Sequence, residues 1–231
     1  MIIAKFAAVV IMGYLLGSIP FGVLVGRRSA RVDVRQYGSG KMGATNVFRA
    51  AGKKAAAVVA SLDLLKGVLA VVFAGLIVSG DYLVVGGIGL GMLVAQVMAA
   101  LAAIAGHIWP VFLKFRGGRG VAPFFGGLIA LCPAAALFGG EILIIGAGLT
   151  RYASIGSIAG AVGTYTILVP LTIMHAFPIE YLAYAFIGTI AIIVMHRDNI
   201  ARLMSGRERK LDEKVEIRDL ASTHPQTKSM G

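Results

Sequence analysis

Two stretches of this chain combine glycine, cations and small polar side chains in the way that binds oxyanions. The first reads Gly38-Ser39-Gly40-Lys41-Met42-Gly43-Ala44-Thr45-Asn46-Val47-Phe48-Arg49. Gly38, Gly40 and Gly43 let the backbone curl and turn its N–H groups toward an anion. Thr45 or Asn46 can cap a short helix whose N-terminus adds positive potential, and Arg49 supplies a planar donor suited to phosphate. A flexible loop with lipid-facing cations would also contain glycine and arginine; Ser, Thr and Asn among them favour an anion site. It is not a Walker loop, because no Gly-Lys-Ser/Thr closes it. The second stretch is Gly117-Gly118-Arg119-Gly120, preceded by Gly106-His107-Ile108-Trp109-Pro110-Val111-Phe112-Leu113-Lys114-Phe115-Arg116. Trp109 and Phe112 read as anchors in the headgroup layer. Arg119, between glycines at the start of an apolar run, reads as a second phosphate ligand.

Smaller sets recur near these loops. Asp63 and Lys66 stand three apart inside an apolar run, where an unpaired charge costs on the order of 3 kcal/mol. At that spacing they can neutralise each other, as a structural pair or beside a substrate. Arg151-Tyr152-Ala153-Ser154-Ile155-Gly156-Ser157 opens another run, and Ser157 is a candidate donor or a packing hydroxyl. His196 and Asn199 share one helix face and can reach one ligand. His107 and His175 have weaker claims. Cys132, the single cysteine, excludes an intrachain disulfide and reads as inert packing.

The elements that position these residues follow from composition. The chain has 231 residues, is 58% hydrophobic and 14% charged, with mean hydropathy +0.84. Its apolar runs approach the ~20 residues a bilayer core requires, so lipid is the solvent and helices are the elements. The runs are 2–25, 56–79, 82–105, 121–150, 157–174 and 179–195. Residues 2–25 read as a first membrane helix and not as a cleaved leader. Pro133 divides 121–150 into two short helices, 121–132 and 134–150. The expectation is an all-α polytopic protein of seven helices. Residues 1–204 form a single transmembrane domain. The polar tail 205–231 begins as a surface helix to about 218 and ends disordered.

Charge sets the orientation. The net charge of +11 is concentrated in loops 26–54 and 106–120, at Arg151 and in the tail, whereas turns 80–81 and 175–178 have no Lys or Arg. Positive loops lie in the cytoplasm, which puts the N-terminus outside and the C-terminus inside. The same charge indicates attraction to anionic lipid and not to nucleic acid.

At these motifs the chain resembles the acyl-phosphate-dependent glycerol-3-phosphate acyltransferases of bacterial membranes. The matching segments are Gly17-Ser18-Ile19-Pro20-Phe21-Gly22, Gly38 to Arg49, Asp63-x-x-Lys66-Gly67, Gly106 to Gly120, Arg151-Tyr152-x-Ser154-x-x-Ser157-Ile158 and His196-Arg197-x-Asn199-Ile200-x-Arg202, in family order. The resemblance implies transfer of a fatty acyl group from acyl-phosphate to the 1-hydroxyl of glycerol 3-phosphate. The products are lysophosphatidic acid and phosphate, in the first acylation of phospholipid synthesis. It places the site at the cytoplasmic face of the inner membrane and calls for no cofactor or metal. Matched by motif, the functional positions are Ser39, Arg49, Arg119, Ser157, His196 and Asn199, with Thr45 and Asn46 beside them. Gly38, Gly40, Gly43, Gly117, Gly118 and Gly120 are the expected substrate-binding backbone. Lys41 stands where the family usually has Asn, and Arg119 where it has Lys, which keeps the charge but changes donor geometry.

The residues support such chemistry independently. Two phosphorylated substrates, one with a long acyl chain, require an anion site at the edge of the lipid phase. An acyl-phosphate is an activated anhydride, so positioning and charge stabilisation suffice. A His-x4-Asp acyltransferase dyad is absent, since none of His107, His175 and His196 has Asp five positions later. Clustered aspartates for a metal-dependent head-group transferase are absent too. A membrane transporter for phosphate or an organic phosphate remains the alternative, although its helices would need polar residues through their full depth.

Overall fold

Inside a bilayer every backbone N–H and C=O must find a partner within its own segment, and the apolar runs of this chain are helical. The computed structural model describes residues 2–85 and 88–213. Its elements are α1 (Ile2–Ser18), α2 (Phe21–Ala30), α3 (Ala44–Val78), β1 (Leu83–Val85), β2 (Ile88–Leu90), α4 (Met92–Ile108), α5 (Val121–Leu131), α6 (Pro133–Thr150), α7 (Ala153–Ile173), α8 (Ile179–Met195) and α9 (Arg197–Met204). Among the described residues, five helical segments are long and apolar enough to cross a membrane, or six if α8 and α9, bent by 57°, count as one.

The expected break at Pro133 is present. α5 ends at Leu131 and α6 opens with Pro133 at its first position, where a missing N–H costs nothing. Other boundaries differ from expectation, and nine α-helices, not seven, occur among the described residues. The run 2–25 is divided at Ile19-Pro20 into α1 and α2, because proline lacks the donor that would continue the ladder. The run 82–105 does not begin as a helix. Leu83 pairs with Leu90 and Val84 with Gly89 in an antiparallel hairpin, and α4 starts only after Gly91. α3 begins at Ala44, inside the expected loop, and is kinked at Gly52, whose φ of 84° is open to glycine. α7 begins at Ala153, four residues ahead of the expected 157. Residues 205–213 form two turns joined by irregular chain where a surface helix was expected; the rest of the tail expectation lies outside the described residues.

Lipid tails are as apolar as leucine, so membrane helices associate by close packing. α1 and α4 meet backbone to backbone. A Cβ on Gly13 would lie 2.4 Å from the Ala99 carbonyl oxygen, one on Gly17 2.1 Å from that of Ala103, and one on Gly106 2.2 Å from that of Tyr14. A larger core forms where α4, α5 and α8 meet, around Ile104, Phe124, Leu128, Tyr184 and Ile192. There the Tyr184 ring stacks on Phe124 at 5.6 Å, and its hydroxyl donates to the Phe124 carbonyl at 2.9 Å. At the end away from the glycine loops Lys5 pairs with Asp81, joining the start of α1 to the chain just beyond α3.

Gly17→Val places a branched side chain against the α4 backbone and should destabilise the protein by about 3 kcal/mol, as overpacking does. A lower melting temperature and a smaller monodisperse fraction in detergent are the readouts. Gly89→Ala, with open space around the added carbon, should leave both unchanged.

Candidate active site

A cavity of about 910 Å³ opens where the two glycine loops meet. Three helix N-termini reach it: Gly43 to Asn46 at the start of α3, Gly118 to Ala122 at the start of α5, and Ala153 to Ser157 at the start of α7. Each leaves backbone donors unpaired within the helix and carries the positive end of a helix dipole. Lys41 and Arg119 line the same end, with Ser39 and His196. Asp63 and His107 also line the cavity, and the remaining wall is mostly apolar, including Phe125, Ile129, Leu137, Leu143 and Ile144 of α5 and α6. The cavity joins a mouth lined by cations and helix N-termini to a mostly hydrocarbon-lined trough.

Asn46 shapes the first loop. It is buried; its Oδ1 accepts from the Ser39 N–H at 3.1 Å, and its Nδ2 donates to the carbonyls of Val34 at 2.7 Å and Lys41 at 2.8 Å. The amide of Asn46 thus fixes Ser39 and the curl between Gly38, Gly40 and Gly43. Upstream, Asp33 accepts from Arg27 at 3.0 Å and Arg35 at 2.6 Å. The Arg35 hydrogen bond, above all, holds the Asp33 carboxyl well below the usual range. This tie is present above the unfolded carboxylate pKa and is lost only as pH falls through the lower folded value. Lys41 is half-buried, and desolvation first, then Arg119, pull its ammonium below the usual lysine range.

The second loop folds back on the end of α4. The Gly118 N–H donates to the His107 carbonyl at 2.9 Å and the Gly117 N–H to that of Ile108 at 3.1 Å. These two donors cap α4, so the ligand-facing contribution of the loop rests on Arg119 and the start of α5, which Gly120 opens at φ 82°. Burial, opposed by Glu208 and assisted by Arg202 and Arg49, lowers the Arg119 guanidinium to about 10. It stays cationic at neutral pH, and its Nε has no hydrogen-bond partner among the described residues.

The third group is organised by a residue that sequence reasoning left in the tail. The buried carboxylate of Glu208 accepts from Ser154 Oγ at 3.1 Å, Asn199 Nδ2 at 2.5 Å and Arg202 Nε at 2.8 Å. Residues 209–212 continue across the mouth. Arg49 donates to the carbonyls of Arg209 at 3.1 Å and Lys210 at 2.6 Å, the Leu211 N–H donates to the Arg151 carbonyl at 2.7 Å, and Asp212 pairs with Arg151. His196 sits at the bend between α8 and α9. Its Nδ1 contacts the Ile192 carbonyl at 2.8 Å; a carbonyl only accepts, so Nδ1 carries the proton and Nε2 is the free acceptor of the neutral ring.

The structure therefore brings Ser39, Gly43, Thr45, Asn46, Gly118, Arg119, Ser157 and His196 to the cavity wall. Gly38, Gly40, Gly117 and Gly120 shape the loops behind it, and Asn199 and Arg49 are turned to the 208–210 segment. Ser157 Oγ donates to its own helix at Ala153, 2.7 Å away, whereas Ser154 reaches out of the helix. Sequence reasoning missed Glu208 and singled out Ser157 over Ser154; Asp63, read as a structural pair or a substrate neighbour, and His107, given a weaker claim, both line the cavity. The Arg151-x-x-Ser154 spacing was the available signal for Ser154; a contact such as that of Glu208 leaves no local signal.

Among the described residues no three His, Cys, Asp or Glu side chains converge as metal ligands. The comparisons with known proteins agree with the geometry. The family model described as glycerol-3-phosphate acyltransferase matches residues 7–206. The chain belongs to the glycerol-3-phosphate acyltransferase family. It is 63% identical to glycerol-3-phosphate acyltransferase 3 of Dehalococcoides mccartyi, over 93% of this chain and 99% of that protein. It is 42% identical to the glycerol-3-phosphate acyltransferase of Thermus thermophilus, over 90% and 96%. Among solved structures it is similar to PlsY (YgiH), an integral membrane glycerol 3-phosphate acyltransferase. The glycerol 3-phosphate form superposes with a TM-score of 0.76 at 36% identity, covering 89% of this chain and 94% of that one. The lysophosphatidic acid form gives 0.74. This acyltransferase family membership leaves the transporter alternative without support.

Glu208→Ala should cost about 2 kcal/mol or more, since hydrogen bonds to a buried charge are lost, and should free Ser154, Asn199 and Arg202. The expected outcome is a lower melting temperature together with reduced acyl transfer to glycerol 3-phosphate. Wild-type values for both would mean that the segment does not hold the site.

Proposed function

We propose that this acyltransferase moves a fatty acyl group from acyl-phosphate to the 1-hydroxyl of glycerol 3-phosphate at the cytoplasmic face of the inner membrane. The observation that supports it most directly is the cavity itself. Three helix N-termini and two cations line one end, with His107 and Asp63 in the wall beside them, and hydrocarbon side chains line most of the rest. An acyl-phosphate matches that division with its phosphate at the mouth and its chain in the trough. Glycerol 3-phosphate brings a second anion, for which the same end offers the remaining donors; the related PlsY has been solved in a glycerol 3-phosphate form.

The reaction needs little beyond placement. The substrate hydroxyl attacks the acyl carbonyl, the ester C–O bond forms, the anhydride C–O bond breaks, and phosphate leaves with the electron pair. Arg119, Lys41 and the helix N-termini stabilise the phosphates and the oxyanion. Arg49 joins them when its guanidinium leaves the 209–210 carbonyls. Ser39 donates a hydrogen bond to phosphate or oxyanion, Ser157 does so once its hydroxyl turns from the Ala153 carbonyl, and Thr45 and the loop glycines let the ligand approach closely. His196 Nε2 accepts the hydroxyl proton, with the departing phosphate as the competing acceptor; Asn199, tied to Glu208, orients His196, or the glycerol phosphate if its amide leaves Glu208.

Seven membrane segments, with α1 and α2 as one broken span and α5 as a short one, give an outside N-terminus and an inside C-terminus. The exposed cations of the two glycine loops support that orientation. Cysteines at Arg28→Cys, Lys114→Cys and Thr150→Cys should be labelled only from the cytoplasm, and Tyr82→Cys only from outside. Labelling of positions 114 and 150 from opposite sides would overturn the arrangement.

Purified protein should release phosphate from palmitoyl-phosphate in the presence of glycerol 3-phosphate and give little turnover with acyl-CoA. Comparable rates with acyl-CoA would sink the donor assignment. Arg119→Ala removes a charge-assisted contact and should lower turnover roughly ten- to hundredfold; Arg119→Lys should retain most activity.

A further inference from the structure

Buried charge in a membrane helix must be met by specific partners, and the partners of Lys66 lead to both glycine loops. Asp63, Lys66 and His107 are each 3% exposed or less. Lys66 Nζ lies 2.8 Å from His107 Nδ1 and 2.8 Å from Asp63 Oδ1; the latter is an ionic contact without hydrogen-bond alignment, since that oxygen has no hydrogen-bond partner among the described residues. His107 Nδ1 is 3.6 Å from the same oxygen. The ammonium also reaches the carbonyl of Ile19 at 3.4 Å, in the break between α1 and α2, and lies 5.8 Å from the Phe21 ring centroid.

Both ends of this contact set lead to an anion loop. On one side, the α1–α2 break runs into Gly22, where a Cβ would lie 1.7 Å from the Met42 carbonyl oxygen. The first glycine loop is thus pressed against the segment that Lys66 holds. On the other side, His107 carries the second loop. Its carbonyl accepts the Gly118 N–H, and a Cβ on Gly118 would lie 2.0 Å from its Nε2. Arg119 is the next residue. We propose that Lys66, with Asp63 and His107 as its fixed partners, is a positioning residue that sets the two anion loops in register, and with them Ser39 and Arg119. Lys66 itself does not line the cavity; it acts through Ile19 and His107.

The kinetic test rests on the acyltransferase reading; a binding test does not. The full chain in detergent is compared with Lys66→Met, His107→Asn, the double variant and Gly118→Ala. Turnover and KM for glycerol 3-phosphate are measured with palmitoyl-phosphate, and affinity for inorganic phosphate is read from Trp109, the single tryptophan, which adjoins the second loop. Misplacement of about 1 Å can cost up to ~100-fold. Lys66→Met should therefore raise KM and weaken phosphate binding between about ten- and a hundredfold. The double variant should be no worse than the poorer single one, as expected of residues acting as one unit. Gly118→Ala leaves all three charges in place and only pushes the loop from the imidazole; it should reproduce the same loss. A folded Lys66→Met protein with wild-type KM and phosphate affinity overturns the proposal, as do multiplying losses in the double variant. If Lys66→Met does not fold, an unaffected Gly118→Ala overturns it and an impaired one supports it. Absence of acyl transfer in the wild type, with phosphate affinity still dependent on Lys66, would overturn the donor reading and leave the positioning role standing.

Discussion

Contact between the backbones of α1 and α4 sets the spacing on which the basic end of the molecule is built. Gly13 and Gly17 on one helix, and Ala99, Ala103 and Gly106 on the other, allow an approach that any larger side chain would block. The two residues next in line, Ile19 and His107, are thereby brought near enough for one lysine from α3 to touch both. The tight packing lies within the membrane region, and the polar contacts begin where it ends. Small residues in the apolar part of the chain thus determine where charged residues meet beyond it.

The direction of the helices matters as much as their spacing. α3, α5 and α7 all begin at the cavity, so their dipoles add at one place, while the last turn of α4 and the end of α8 bring His107 and His196 to the same level. An anion held there faces backbone donors and two cations without any charge being buried deep in the bilayer. The trough between α5 and α6 runs into the hydrocarbon from that point. A ligand with an ionic head and an apolar tail can occupy both media at once, which is what chemistry on a lipid precursor requires.

Much of this could be read from particular residues. Pro133 announced the division between α5 and α6, and the spacing of Gly38 to Arg49 and Gly117 to Gly120 announced two loops with anion-binding character. Hydropathy misled at Leu83 to Leu90, because in a uniformly apolar run nothing separates a short hairpin from the first turns of a helix. Ser154 and Ser157 are equally plausible by spacing; only packing shows that one bonds its own helix and the other Glu208. Asn46 looked like a ligand because its type and neighbours fit one, whereas its amide is occupied in holding the loop. Glu208 is separated from Ser154 by two helices in sequence, and no local pattern encodes such a contact.

The exposed cations around the mouth have a kinetic meaning separate from binding. Arg27, Arg28, Arg31, Lys53, Lys54, Lys114 and Arg116 are exposed, and none of them lines the cavity. Their summed field draws dianions from bulk water and repels cations, raising the frequency of productive encounters. That field decays over about 8 Å at physiological ionic strength. Capture of a soluble phosphorylated metabolite is therefore sensitive to salt, whereas events within the walled cavity are shielded from it. Delivery and conversion are governed by different layers of charge on the same protein.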